Sequence, residues 1–119
     1  MPKNKEFLYI GYYVDNEGNT ILKIGTTDDL KRRRYEHHTK YRRAKAHTLP
    51  PENTFEYLWT LALSKYNTLR YEDRNKLALQ EMGIGEYVRN DRFVLREGVT
   101  AIPITIRKTY TVDLSPIFG

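Results

Sequence analysis

Apolar and polar positions along this chain alternate with the period of strands in some stretches and of helices in others. Residues 7–14, FLYIGYYV, are β-branched, aromatic and apolar, and read as a strand. Asp15-Asn16-Glu17-Gly18-Asn19 reads as a turn with Gly18 at a φ > 0 position, and residues 20–25, TILKIG, as the returning strand of a hairpin. Thr27 or Asp28 is expected to cap a helix from about Asp29 to about Tyr41, with the aspartates at its positive end. Residues 42–54 contain Pro50-Pro51 and few apolar positions, and read as a loop. Residues 55–63, FEYLWTLAL, predict a further strand. A second helix follows, capped at Asn67 or Thr68, running to about Met82 and ended by Gly83. Beyond it EYV and RFVL flank Arg89-Asn90-Asp91, Glu97-Gly98 turns the chain, and VTAIPITI and TYTVDL read as strands. Pro103 confines the former to an edge or a bulge. The pattern predicts an α+β domain, a small antiparallel sheet flanked by helices. Residues 1–95 hold a β-β-α-β-α core, and residues 96–119 a C-terminal β extension packed on the same domain.

The hairpin has a definite geometry if Asp15 faces Asn19. Tyr13 then faces Ile21, Gly11 faces Lys23 and Tyr9 faces Gly25. Side chains alternate along a strand, so Tyr9, Tyr13 and Lys23 share one face, while Leu8, Ile10, Tyr12, Leu22 and Ile24 share the other. The second set is the natural core. The first is either the solvated side of an amphipathic sheet or a working surface, and periodicity leaves both open.

Composition narrows the chemistry. The 119 residues include no cysteine, which excludes disulfides, thiolate zinc sites, iron–sulfur clusters and cysteine nucleophiles. His37, His38 and His47 lack HExxH spacing. No signal-like or membrane-length apolar run is present, so a soluble intracellular protein is expected. Lys and Arg number 20 against 15 Asp and Glu, a net charge of +5. Lys31, Arg32, Arg33, Arg34, Lys40, Arg42, Arg43 and Lys45 crowd into residues 31–45 with Glu36 the sole acid there. A solvated helix face usually mixes signs, so this density favours phosphate contacts, with DNA ahead of RNA as partner.

Two helix faces carry candidate chemistry. Leu30, Arg33 and His37 fall at i, i+3 and i+7, so Leu30 would anchor Arg33 and His37 beside the sheet, while Lys31, Arg32 and Arg34 point elsewhere. Leu69, Glu72, Lys76 and Leu79 fall on one line of the second helix. A carboxylate among apolar neighbours is costly unless it is paired or binds a cation. An ion pair of Glu72 with Lys76 or a nearby arginine is the plain alternative to a metal.

These residues, in this order, resemble the GIY-YIG nuclease domain over about residues 7–95. Lys23-Ile24-Gly25 stands where that family has its second tripeptide; Arg33 lies eight residues past Gly25, His37 four past Arg33, and Glu72 on a later helix. The segment KIGTTDDLKRRRYEH is similar to a KIG variant common in phages and large DNA viruses. The literal YIG of residues 9–11 lies in the first strand and is not the second motif.

The resemblance implies metal-dependent DNA endonuclease activity, hydrolysing phosphodiester bonds by a one-metal mechanism. Glu72 would be the metal ligand, for Mg²⁺ or Mn²⁺, with water and phosphate oxygens completing the shell. Arg33 would clamp a phosphate oxygen. Tyr9, with Tyr13 as its alternative, would position or deprotonate the attacking water; Lys23 on the same face would lower the phenol pKa, and His37 would relay the proton or bind phosphate. Asn90 stands where the family often has a site-ordering asparagine, although it falls in an expected turn. Lys31, Arg32, Arg34, Lys40, Arg42, Arg43 and Lys45 would bind the nucleic acid backbone. Lys23 replaces the family's tyrosine, which supports the other reading, a non-catalytic DNA- or RNA-binding module on the same scaffold. A catalytic module of this size with no obvious reader is expected to have low sequence specificity alone, to form a homodimer, or to use a separate DNA-reading partner.

Overall fold

The computed structural model describes residues 5–15, 17–44, 55–88 and 92–118. Of residues 38–44 it describes the backbone alone. Lys45 and Asn90 lie outside the described residues, as do the side chains of Lys40, Arg42 and Arg43.

The chain opens with the hairpin β1 (Lys5–Val14) and β2 (Thr20–Thr27). Its register is the one the turn implies: Tyr13 faces Ile21, Gly11 faces Lys23 and Tyr9 faces Gly25. The Asp15 carboxylate holds the turn by accepting the backbone N–H groups of Glu17 and Asn19, each at 2.9 Å. Gly18 takes φ 83° beside it.

Helix α1 (Leu30–Ala44) begins one residue later than the Thr27 or Asp28 cap implies and runs past Tyr41. Asp29 is the capping residue, accepting the Arg32 N–H at 3.0 Å, while Thr27 Oγ1 accepts the N–H of Asp29 itself. Strand β3 (Glu56–Ser64) pairs with the outer side of β1. Helix α2 (Lys65–Met82) starts two residues before Asn67, not after an Asn67 or Thr68 cap. Thr68 is instead fully buried, its hydroxyl donating to the Glu6 carboxylate at 2.8 Å, so it serves tertiary packing. Gly83 ends the helix as expected, in the left-handed conformation with its N–H on the Gln80 carbonyl.

Strands β4 (Gly85–Val88) and β5 (Arg92–Leu95) complete an antiparallel sheet of order β3-β1-β2-β5-β4. Strands β6 (Ala101–Thr105) and β7 (Thr109–Asp113) form a separate ribbon, where Pro103 sits on an edge by necessity. A short helix α3 (Ser115–Phe118), absent from the sequence expectation, closes the described chain. The mixed α+β class is the one expected.

Both faces of the sheet are covered. On one, Leu8, Ile10, Leu22 and Ile24 pack with Leu79 of α2 and with Ile102, Ile104, Val112 and Leu114 of the C-terminal segment. Each such buried side chain contributes about 1.5–3 kcal/mol. Asn75 of α2 ties the ribbon down, donating to the Thr105 carbonyl at 2.9 Å and accepting the Thr105 N–H at 2.8 Å. On the other face Tyr9, Tyr13, Ile21 and Phe55 form a second cluster against Leu30 of α1. The face that periodicity left open is therefore not solvated: Tyr9 is 0% exposed, and Tyr13 and Lys23 are 6%. Among the described residues no helix is long and apolar enough to cross a membrane.

Candidate functional site

The second cluster gathers the chemistry. Tyr9 faces Gly25 across the ladder, where a Cβ would stand 2.5 Å from the phenol oxygen. Gly11 gives the Phe55 ring the same clearance. Glycines on the neighbouring strands thus create the space that two rings fill.

Helix α1 delivers Arg33 and His37 onto this face, as the i, i+3, i+7 spacing from Leu30 requires. His37 is 2% exposed, and its Nε2 lies 2.7 Å from Tyr9 Oη. Arg33 also hydrogen-bonds Tyr9, and its Nη1 donates to Glu36 at 3.2 Å. A guanidinium has no acceptor, so the phenol oxygen accepts from Arg33, and the tautomer of His37 decides whether the phenol O–H donates to Nε2. A neutral His37 that accepts the phenol proton carries its ring proton on Nδ1. Burial opposes the Arg33 charge, but the hydrogen bonds and fields of Tyr9 and Glu36 outweigh it and hold the pKa above the ordinary guanidinium value. Arg33 Nε is buried without a hydrogen-bond partner among the described residues.

Tyr57 was not singled out by sequence, yet its ring centroid lies 5.2 Å from that of Tyr9, and its O–H donates to the Leu30 carbonyl at 2.7 Å. Burial, then the neighbouring Tyr9 oxygen, pushes its pKa well above 10.0, against the pull of Arg33 and Arg34. Phe55 stacks on His37 with centroids 4.3 Å apart. The phenol of Tyr9 is thus walled by three rings.

Tyr13 has a different partner. Arg92 Nη1 donates to its oxygen at 3.1 Å. Burial raises the Tyr13 pKa, Arg92 lowers it and Asp15 raises it, with a net rise. Arg92 is the register partner of Lys23, Lys23 of Gly11, and Gly11 of Tyr57. Tyr57, Lys23 and Arg92 therefore stand in one row across the sheet. Arg92 was also missed, because its place follows from the β2–β5 pairing, which no local pattern encodes.

Glu72 stands elsewhere in the fold. It is 8% exposed, in the buried stripe Thr68, Glu72, Asn75 and Leu79 of α2, on the layer opposite Tyr9. The expected line through Leu69 is corrected, since Leu69 is 62% exposed. Thr68 and Asn75, through their bonds to Glu6 and Thr105, turn the helix by about one residue relative to the apolar count. Lys76 Nζ lies 3.6 Å from Asp73. The structure thus brings Tyr9, Arg33 and His37 together, sets Lys23 and Tyr13 beside them, and carries Glu72 on the other layer.

The basic helix is less unbalanced in space than in sequence. Arg32 pairs with Asp28 and Glu36, Arg33 with Glu36, and Arg34 with Glu56 at 2.6 Å. Asp28 and Glu56 come from outside residues 31–45, which is why the linear count missed them. Such part-exposed pairs are worth about 0–1 kcal/mol, so a phosphate can replace the carboxylate. Lys31 is exposed on the same helix.

The model of the T5orf172 domain family matches residues 6–92, from β1 to the start of β5. No curated protein and no solved structure matches the chain.

Proposed function

The chain belongs to the T5orf172 domain family, and from that membership and the Tyr9–His37–Arg33 cluster we propose a GIY-YIG-type endonuclease that hydrolyses DNA phosphodiester bonds. The family is associated with nuclease-like proteins of phages, which supports the general direction. The single observation that carries the reading is the 2.7 Å bond between Tyr9 and His37, with Arg33 on the same phenol oxygen. A phenol with an imidazole behind it and a guanidinium beside it suits a water-activating and phosphate-binding role.

Exposure orders the parts. The Arg33 side chain is 36% exposed, whereas Tyr9 is 0%. A phosphate therefore meets Arg33 first. Exchanging Glu36 for a phosphate oxygen draws the guanidinium outward and opens the Tyr9 oxygen. Tyr9 then takes a proton from the attacking water as it passes its own phenol proton to His37 Nε2, which becomes the imidazolium. Lys23 and Arg92 add positive potential to the row beside them, which favours both the phosphate and a phenolate.

The residues expected to hold a divalent cation are not gathered at this cluster. Among the described residues no three His, Cys, Asp or Glu side chains gather. Glu72, the carboxylate that the resemblance gives to Mg²⁺ or Mn²⁺, lies on the layer opposite Tyr9 and Arg33, so it does not fit an ion that shares a phosphate with Arg33. Plasmid nicking by Glu72→Gln tests this assignment. Retained Mg²⁺- or Mn²⁺-dependent nicking is expected, and its loss with unchanged DNA affinity in EDTA would return Glu72 to the mechanism.

A second reading has its own observation. The complete burial of Tyr9, together with Lys23 in the second motif, suits a non-catalytic DNA-binding module on this scaffold. In that case Arg33 is a phosphate contact, and the phenol–imidazole pair only props it. DNA is the partner on either reading.

A further inference from the structure

Away from the Tyr9 cluster, a cavity of about 530 Å³ opens where the outer edge of β3, the first turn of α2 and the tip of the β6–β7 ribbon meet. Its volume falls in the range of about 300–1,000 Å³ usual for small-ligand sites. Among the described residues, its ionisable walls besides tyrosine are the cations Lys5 and Arg107. Tyr71 and Tyr110 supply half-buried rings, and Ser64 and Asn67 supply polar groups. Lys108 Nζ sits 5.0 Å from the Tyr110 ring centroid and Arg74 5.9 Å from that of Tyr71, so more positive charge borders the rim.

We propose that this groove binds an unpaired nucleotide of a nucleic acid strand, with the base against Tyr110 and Tyr71 and the phosphate between Lys5 and Arg107. The proposal rests on the reading that the chain acts on nucleic acid, and it adds a second contact outside the family-matched region, since Arg107 and Tyr110 lie beyond residue 92. Aromatic faces accept any base, and paired cations match a backbone phosphate, so the site is sequence-tolerant. An acidic peptide would satisfy the cations but leave the two rings without a matching flat surface. Lys5 and Tyr9 are four residues apart on β1, roughly 13 Å at about 3.3 Å per residue. A strand crossing the β3 edge would thus reach both places within a few nucleotides, and the groove would hold a single-stranded flank while a phosphodiester lies at Arg33.

Trp59, the sole tryptophan of the chain, reports on this groove, since its ring centroid lies 5.5 Å from that of Tyr110. The experiment titrates the full-length protein in EDTA with a short oligothymidylate and follows Trp59 fluorescence alongside anisotropy of the labelled oligonucleotide. Saturable quenching is expected in the wild type. Tyr110→Ala should weaken binding roughly tenfold, as loss of one base–aromatic stack does. The exposed Arg107→Glu carries no core packing and should also weaken binding at least tenfold, with a shallower salt dependence. Oligonucleotide binding that neither substitution changes overturns the groove while leaving the nucleic acid reading intact. Absence of binding to any single-stranded or duplex oligonucleotide overturns both. Displacement of the Trp59 signal by an acidic peptide but not by oligothymidylate assigns the groove to a protein ligand and overturns the proposal.

Discussion

Gly25 and Tyr9 oppose each other so closely that one methyl group on Gly25 would stand 2.5 Å from the Tyr9 phenol oxygen. The glycine of the KIG segment is thus a steric requirement of the tyrosine on the neighbouring strand. The phenol has little room to retreat, since Phe55, Tyr57 and His37 surround it. Gly25→Ala is therefore expected to destabilise the fold by about 1–3 kcal/mol, the usual cost of overpacking. Urea denaturation checks this. Gly18→Ala is the control, because a Cβ there meets nothing, and its cost reflects only the positive φ.

Tyr57 makes stability sensitive to alkali. Its pKa is raised above 10.0 in the folded protein, chiefly by burial, so the folded state holds a proton that the unfolded chain releases first. The contribution is fully present below pH of about 10 and is lost as pH rises through and beyond that value. Tyr13 acts in the same direction. Urea midpoints of the wild type should hold level to about pH 9 and then fall, the ordinary tyrosine range. Tyr57→Phe should lower stability at neutral pH by about 0.5–1.5 kcal/mol through the lost bond to Leu30, yet flatten the alkaline decline. An unchanged alkaline slope in that variant would assign it to other groups.

Much of this arrangement is legible in the sequence, and the remainder fails for identifiable reasons. The hairpin register follows from one turn, which places Tyr9, Tyr13 and Lys23 on a common face before any coordinates are known. The helical spacing from Leu30 likewise brings Arg33 and His37 to the sheet. Burial of that face is not legible, because the covering residues Phe55 and Tyr57 lie far along the chain and read locally as an ordinary strand. The stripe of α2 misleads for a different reason: Thr68 and Asn75 are polar, yet buried because their partners are Glu6 and Thr105. Hydropathy counts rank them as surface and promote Leu69 in their place. Arg92 depends on strand order, a long-range property.

Asn75 is the fastening of the C-terminal ribbon. Its side chain pairs both backbone groups of Thr105, and its Nδ2 also donates to the Tyr71 carbonyl. Asn75→Ala removes these part-buried hydrogen bonds, at a net cost of about 0.5–1.5 kcal/mol each. Hydrogen exchange should accelerate first at Thr105 and along β6 and β7, while the β1–β2 hairpin keeps its protection. Uniform acceleration would mean that ribbon and sheet unfold as one unit.

The nuclease reading turns on Arg33, the exposed member of the buried cluster. The decisive measurement is conversion of supercoiled plasmid to open circle by the full-length protein with Mg²⁺ or Mn²⁺, compared with Arg33→Ala. The wild type is expected to nick, EDTA to stop it, and Arg33→Ala to lose rate by roughly a hundredfold or more with a much smaller loss of DNA affinity, as removal of a transition-state contact requires. A folded wild-type protein that binds DNA but nicks no supercoiled, linear, single-stranded or branched DNA with either metal would contradict it, and would leave the Tyr9–His37–Arg33 cluster as a phosphate-binding prop alone.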